Sequence, residues 1–313
     1  MIAHIIRRVL TAIPTLWMVL TLVFIGFRLV PGDAAQSMMA QATQEGMGSL
    51  SAHDVQRLRH QLGIDRPLLV QYGDFLIHAV RLDFGRSYAS NRPVFDEIGD
   101  RLPYTAELAA CALLLAMLFG IAAGILGAVY HRTLMGRVLV GLAVLGISVP
   151  NYVLGTMLAL LLGVKLHWLP VAGPGDIRNI FLPSVTVAVG LWAVLTRYVR
   201  SSLLDALHQD FVTTARAKGL SERSVIVTHA LRNALVPVIT ILGLIAAGLL
   251  NGVIIVENVF AWPGLGSMVL SAITARDYPL IEATTFLFAL IFIGINLLVD
   301  LSYSVLDPRI TYP

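Results

Sequence analysis

The sequence predicts an all-α polytopic membrane protein with six transmembrane helices. Three observations predict it. Only 13% of the 313 residues are charged and 57% are apolar, with a net charge of +3. A soluble chain of this size needs more polar cover than that, because its surface grows with its mass. Six runs free of Asp, Glu, Lys and Arg, at 9–27, 108–130, 138–164, 179–196, 233–256 and 283–299, approach or exceed the length that crosses a bilayer. Basic residues gather at one set of span ends. The composition excludes a soluble enzyme, a disordered chain and a nucleic-acid binder. The single cysteine, Cys111, excludes a disulfide framework.

The predicted spans are 9–30, 105–130, 138–164, 180–199, 234–257 and 283–304, one membrane domain over 1–313. Arg7, Arg8, Arg132, Arg137, Arg197, Arg200, Arg216, Lys218, Arg223, Arg232 and Arg309 fall on one side if alternate connections share it. Basic flanks stay in the cytoplasm, so both termini are expected there. The first run is too long for a cleaved leader, and Arg28-Leu29-Val30-Pro31-Gly32 is a poor cleavage site.

The loop 31–103 is too long for a plain connection, so an extracytoplasmic helical cap is expected. Ser51 and Asp54 open a capping box, and Gly63 with Pro67 close that helix. Leu69, Tyr72, Leu76 and Ala79 recur at helical spacing. A third short helix is expected over 93–101, ended by Leu102-Pro103, and 41–49 is the expected mobile segment.

Motifs for chemistry are missing. The two lysines, Lys165 and Lys218, do not follow glycine, so no phosphate-binding loop of the Walker type exists. The eight histidines have no metal-ligand spacing, and no Gly-x-Ser-x-Gly elbow occurs. Gly120/Gly124 and Gly248/Gly252 are small-residue pairs expected to pack helices within this chain rather than between chains. Polar groups within or at the ends of the spans are few. Asn251, Glu257 and Asn296 are the candidates for lining a pore, weighed against ordinary packing roles. Trp262 is read as an interfacial anchor.

The connection 200–235 is the unusual feature, long, basic and patterned as two helices. Leu204, Leu207, Phe211 and Ala215 form one stripe, and Val227, Ala230, Leu231 and Ala234 a second. Gly219 is expected to break the chain with positive φ, and Ser221 to cap the second helix. Such an elbow suits docking another protein, or else lying on anionic lipid.

Asp210-Phe211-Val212-Thr213-Thr214-Ala215-Arg216-Ala217-Lys218-Gly219-Leu220, with His229-Ala230-Leu231-Arg232-Asn233-Ala234-Leu235-Val236-Pro237, resembles the cytoplasmic "EAA" loop of ABC-importer permeases. The narrower resemblance is to the dipeptide/oligopeptide/glutathione/nickel permease family, with a MetI-like type I importer fold. Val30-Pro31-Gly32-Asp33, Asp83-Phe84-Gly85-Arg86-Ser87, Phe260-Ala261-Trp262-Pro263-Gly264 and Arg276-Asp277-Tyr278-Pro279 extend the resemblance along the chain. Thr213 and Thr214 depart from the Glu and Ala of the loop's name. The resemblance implies half of a translocation pore in a bacterial inner membrane, without its own catalytic or ATPase site. It implies a homologous second permease, two ATPase subunits carrying ATP and Mg, and an extracytoplasmic solute-binding protein. It places ATPase coupling at Phe211, Thr214, Ala215, Arg216, Lys218, Gly219 and Leu220, with Ala215 touching the ATPase subunit. The alternative is a self-contained secondary transporter or channel, which would show inverted repeats or paired mid-span charges. An intramembrane enzyme would need paired catalytic groups.

Overall fold

The computed structural model describes residues 2–44 and 52–306, with side chains for 10–40, 43, 53–235, 237–249 and 252–299. The described residues are mainly helical and divide into two compact units. One is Met1–Pro103 with Gly264–Ile293, and the other is Tyr104–Pro263 with Gly294–Pro313. Among the described residues, four helices are long and apolar enough to cross a membrane, and six spans result if each of two bent pairs is counted once.

In the first unit α1 (Ile2–Leu29) is the apolar span, followed by α2 (Ala34–Gln44), α3 (Ala52–Gln61) and α4 (Leu68–Arg81). The helices expected in this segment are therefore present, although Ser51 and most of 41–49 lie outside the described residues. Gly63 takes φ +68° just past α3, as its stop role requires. Phe24 of α1 stacks on Phe75 of α4 at 5.6 Å and meets Tyr72 edge-on at 5.1 Å. Phe84 and Phe286 continue this core at 5.5 Å.

The expected stop at Pro103 does not occur. α5 runs unbroken over Val94–Val129 with Pro103 inside. A proline there removes one backbone donor, and Ala106, Glu107, Leu108, Ala109 and Ala110 just beyond it are good helix formers. α12 (Leu265–Ala275) is a short apolar helix not anticipated in the sequence, and α13 (Tyr278–Leu306) is the last span.

The motifs of the first unit explain one another physically. Gly32 has φ +92°, and the carbonyls of Pro31 and Gly32 accept hydrogen bonds from the Arg276 guanidinium. Asp277 accepts from the Ser87 hydroxyl at 2.5 Å and from the Ala89 amide at 3.1 Å. Segments almost two hundred residues apart are thereby tied together by buried, charge-assisted hydrogen bonds.

In the second unit α8 (Ile177–Leu207) and α11 (Leu231–Val259) form the central pair. A β-carbon on Gly124 would lie 2.5 Å from Val199 Cβ, and one on Gly120 would lie 3.0 Å from Leu195 Cβ. That pair therefore packs α5 on α8 within the chain, as expected. Gly248 has open space around it.

The run 138–164 is not one straight helix. α6 (Leu134–Ser148) and α7 (Asn151–Leu158, extended by a π-helical turn Ala159–Lys165) meet at 102°. Pro150 lacks the amide that would continue α6, and it forces Val149 into an extended conformation at φ −92°, ψ 120°. The charge-free run hid this break. A second bend, 49°, separates Glu222–Leu235 from Pro237–Leu249, at Pro237.

Candidate coupling elbow and polar groups of the spans

α8 ends at Leu207, and His208 and Gln209 separate it from α9 (Asp210–Ala217). The single stripe expected through Leu204, Leu207, Phe211 and Ala215 is therefore split. Val212 and Ala215 of α9 instead face inward, onto Leu203 and Ala206 of α8, Ala128 of α5, and Val225, Ala230 and Ala234. Ala215 is 5% exposed. Its contact is with its own chain, because α9 has only one apolar face and the chain uses it. Small side chains on both sides let the helices approach closely.

Gly219 has φ +77° with nothing near the position of a β-carbon. The Gly219 amide donates to the Arg216 carbonyl at 2.9 Å and the Leu220 amide to the Ala215 carbonyl at 3.4 Å. This is a Schellman ending, with glycine in the left-handed position. Ser221 then caps the next helix, accepting from the Ser224 amide at 3.4 Å. Arg216 donates to both carboxylate oxygens of Glu222, at 2.7 and 3.3 Å. That hydrogen bond holds the Glu222 carboxyl below its usual range and raises Arg216. Both are exposed, so the pair braces the turn weakly and yields to salt.

α10 (Glu222–Ser224) passes through a π-helical turn, Val225–Ala230, into α11. The π turn corrects the second stripe. Its wider turn, with i→i+5 hydrogen bonds, goes with Val225 and Ala230 on the buried face and Val227 56% exposed. No 3.6-residue period reveals that.

Six of the seven residues named for coupling are exposed: Phe211, Thr214, Arg216, Lys218, Gly219 and Leu220. The face of α9 opposite Val212 and Ala215 is Asp210, Thr213, Thr214 and Ala217, all exposed. Asp210 and Thr213, which were not among the seven, share that open face.

Of the three pore-lining candidates, Glu257 is 0% exposed. It accepts a hydrogen bond from the Thr105 hydroxyl at 2.6 Å, so it braces α11 against α5 and contributes no open surface. Burying a carboxylate demands such a partner. Asn296 is half-buried on α13, and the Asn251 side chain lies outside the described residues. Trp262 is buried, and its indole donates to the Tyr104 carbonyl at 3.0 Å, which replaces the interfacial role. Asn151 was not singled out as a candidate. It opens α7 next to Gly252 of α11 and Gly190 of α8, whose missing side chains make room for its amide.

The first unit holds a polar cluster that charge-free runs could not reveal. Arg28 pairs with Glu282 at 2.9 Å, donates to Gln71 at 3.1 Å and lies 3.5 Å over the Phe24 ring. It borders a cavity of about 320 Å³ lined also by Asp74, His78 and Tyr88. Burial first, and then the Glu282 carboxylate, pushes the Tyr88 hydroxyl up to about 12, so it stays neutral.

The family model for the binding-protein-dependent transport system inner membrane component matches residues 116–312, and the model for its N-terminal part matches 1–109. The chain is 42% identical over 312 residues to the glutathione transport system permease protein GsiC of Escherichia coli strain K12, covering 100% of both chains. The same figures hold for GsiC of Salmonella typhi. Among solved structures, the inward-facing MetNI methionine ABC transporter matches with a TM-score of 0.56 at 16% identity, covering 67% of this chain and 96% of that one. An amino acid ABC transporter matches with 0.52 at 14% identity, covering 67% and 94%. These last two establish the fold. The chain belongs to the binding-protein-dependent transport system inner-membrane component family, and is a multi-pass inner-membrane permease subunit of an ABC importer of the dipeptide/glutathione type.

Proposed function

We propose that this permease carries glutathione or short peptides, and that the elbow 208–222 is where ATPase subunits engage it. The substrate class rests on the full-length identity to glutathione permeases. The elbow carries the mechanical part of the reading. α9 is a short helix fixed at its back by Val212 and Ala215 and closed by a left-handed glycine. It presents Asp210, Thr213 and Thr214, flanked by Phe211 and Leu220. A rigid lever with an open polar and aromatic face suits force transfer from a docked protein.

Two ATPase subunits hold ATP and Mg, a second homologous permease completes the pore, and an extracytoplasmic binding protein delivers solute to the 31–103 side. Both termini face the cytoplasm. Closure of the ATPase pair pulls the elbows and rocks the bundle between inward- and outward-facing states. Ala215 acts as the spacer that lets α9 lie close to α8. Asn251 and Asn296 remain the candidates for the path wall, with Asn151 added.

A photo-crosslinking residue placed at Thr214 tests the docking face. Capture of the ATPase subunit from the assembled complex is expected there and not at Val212. Capture of lipid alone at Thr214 would replace docking with a membrane-surface role.

A further inference from the structure

Helix α4 divides into three sectors at 100° per residue. Gln71, Asp74, His78 and Arg81 form a polar stripe, and Gln71, Asp74 and His78 border the cavity beside Arg28. Tyr72, Phe75, Leu76 and Ala79 form the sector packed on α1 and the unit's core. The third sector is Leu69, Gly73, Ile77 and Val80. It is apolar and faces away from the chain, with Leu69 84% and Val80 85% exposed. A helix standing in water would not keep such a face uncovered.

The depth of α4 identifies what covers it. The hydroxyls of Tyr72 and Thr21 are hydrogen-bonded at 2.7 Å, and Phe24 packs on both Tyr72 and Phe75. Thr21 lies six residues before the last residue of the charge-free run 9–27, about 9 Å along the α1 axis. The hydrocarbon layer is about 30 Å thick. The middle of α4 is therefore at the level of acyl chains. Its polar stripe turns toward Arg28, the first charge beyond that run, where Gln71 bonds it. The apolar sector continues the exposed face of α1, on which Leu22, Ile25 and Leu29 are also uncovered. An apolar cleft of about 270 Å³ lies between the two helices, lined by Phe24, Ile25, Leu29, Leu68, Leu69 and Tyr72.

We propose that α4 is seated in the membrane, in the leaflet that receives the C-terminal end of α1, with Leu69, Ile77 and Val80 on acyl chains and one chain entering the cleft. Which leaflet this is rests on the orientation proposed above, where it is the outer one; the lipid contact does not rest on it. The segment 31–103 is then a cap partly sunk in lipid, anchored at one side of the cavity beside Arg28.

The test uses the assembled transporter in liposomes, with Cys111→Ala as background. Spin labels are attached at Leu69→Cys, Ile77→Cys, Val80→Cys and, on the polar stripe, Arg81→Cys. Collisions with oxygen should exceed those with a water-soluble nickel chelate several-fold at 69, 77 and 80, and the order should reverse at 81. Dominance of the nickel chelate at 69, 77 and 80 would make α4 a water-exposed cap and overturn the proposal. Shielding from both reagents would mean a protein partner covers the face, which also overturns it. A fluorophore at position 69 should be quenched more by a nitroxide on the acyl chain than by one on the headgroup. The opposite order would refute the depth.

Discussion

Gly219 and Ala215 show how much of the elbow depends on single atoms. Gly219 is left-handed at φ +77° in open space, so a β-carbon meets no neighbour and the cost is purely backbone. An L-residue in that region costs roughly 1–2 kcal/mol, and a β-branched one more. Gly219→Val is expected to loosen the elbow while the spans still insert, read as faster proteolysis between 207 and 225. Ala215 is different, being packed against other small side chains. Ala215→Trp overpacks that core, which costs about 1–3 kcal/mol or more. It should lower the melting temperature of the purified complex as well as coupling. Thr105→Val removes the hydroxyl that bonds the buried Glu257 carboxylate. The expected loss is on the order of 1–3 kcal/mol, seen in the same melting assay; an unchanged melt would refute the bracing role. The Arg216–Glu222 pair follows a definite sign. Glu222 is depressed, so its contribution is full above the ordinary glutamate range and is lost only as pH falls through the lowered value. Raising salt should weaken it at neutral pH.

At the scale of elements, the spans were legible because burial in lipid demands long apolar runs. What interrupts a span was not. Pro150 sits inside a charge-free run, and hydropathy does not distinguish a straight helix from two at 102°. α12 escaped notice because its eleven residues are too few to cross a bilayer. The π turn at Val225–Ala230 changed which residues face inward, since its wider turn departs from the 3.6-residue period used to read the stripe. The elbow was legible in outline. Gly219 and Ser221 have the backbone roles their residue types demand, whereas the partition of α9 into buried and open faces emerged only with its neighbours in place. Pro150→Ala offers a direct test of the break. It should extend α6 and impair transport, measured by substrate uptake in proteoliposomes, without loss of expression.

For the whole molecule, the family motifs mark joints. Val30–Asp33, Asp83–Ser87 and Arg276–Pro279 converge through Arg276 and Asp277 in one unit, and the resemblance there has a mechanical meaning. The proposed orientation puts Arg223 in the cytoplasm and Ser90 outside. Cysteines at these positions in a Cys111→Ala background should be labelled from opposite sides, and labelling from the same side would break the topology. In the proposed mechanism, an elbow rigidly held by its own chain couples the pore to ATP hydrolysis. The most direct measurement is substrate-stimulated ATPase activity of the reconstituted complex carrying Gly219→Val, alongside co-purification of the ATPase subunits. Stimulation by binding protein and substrate should be lost while the six spans remain inserted. Full stimulation with normal subunit recovery would contradict it.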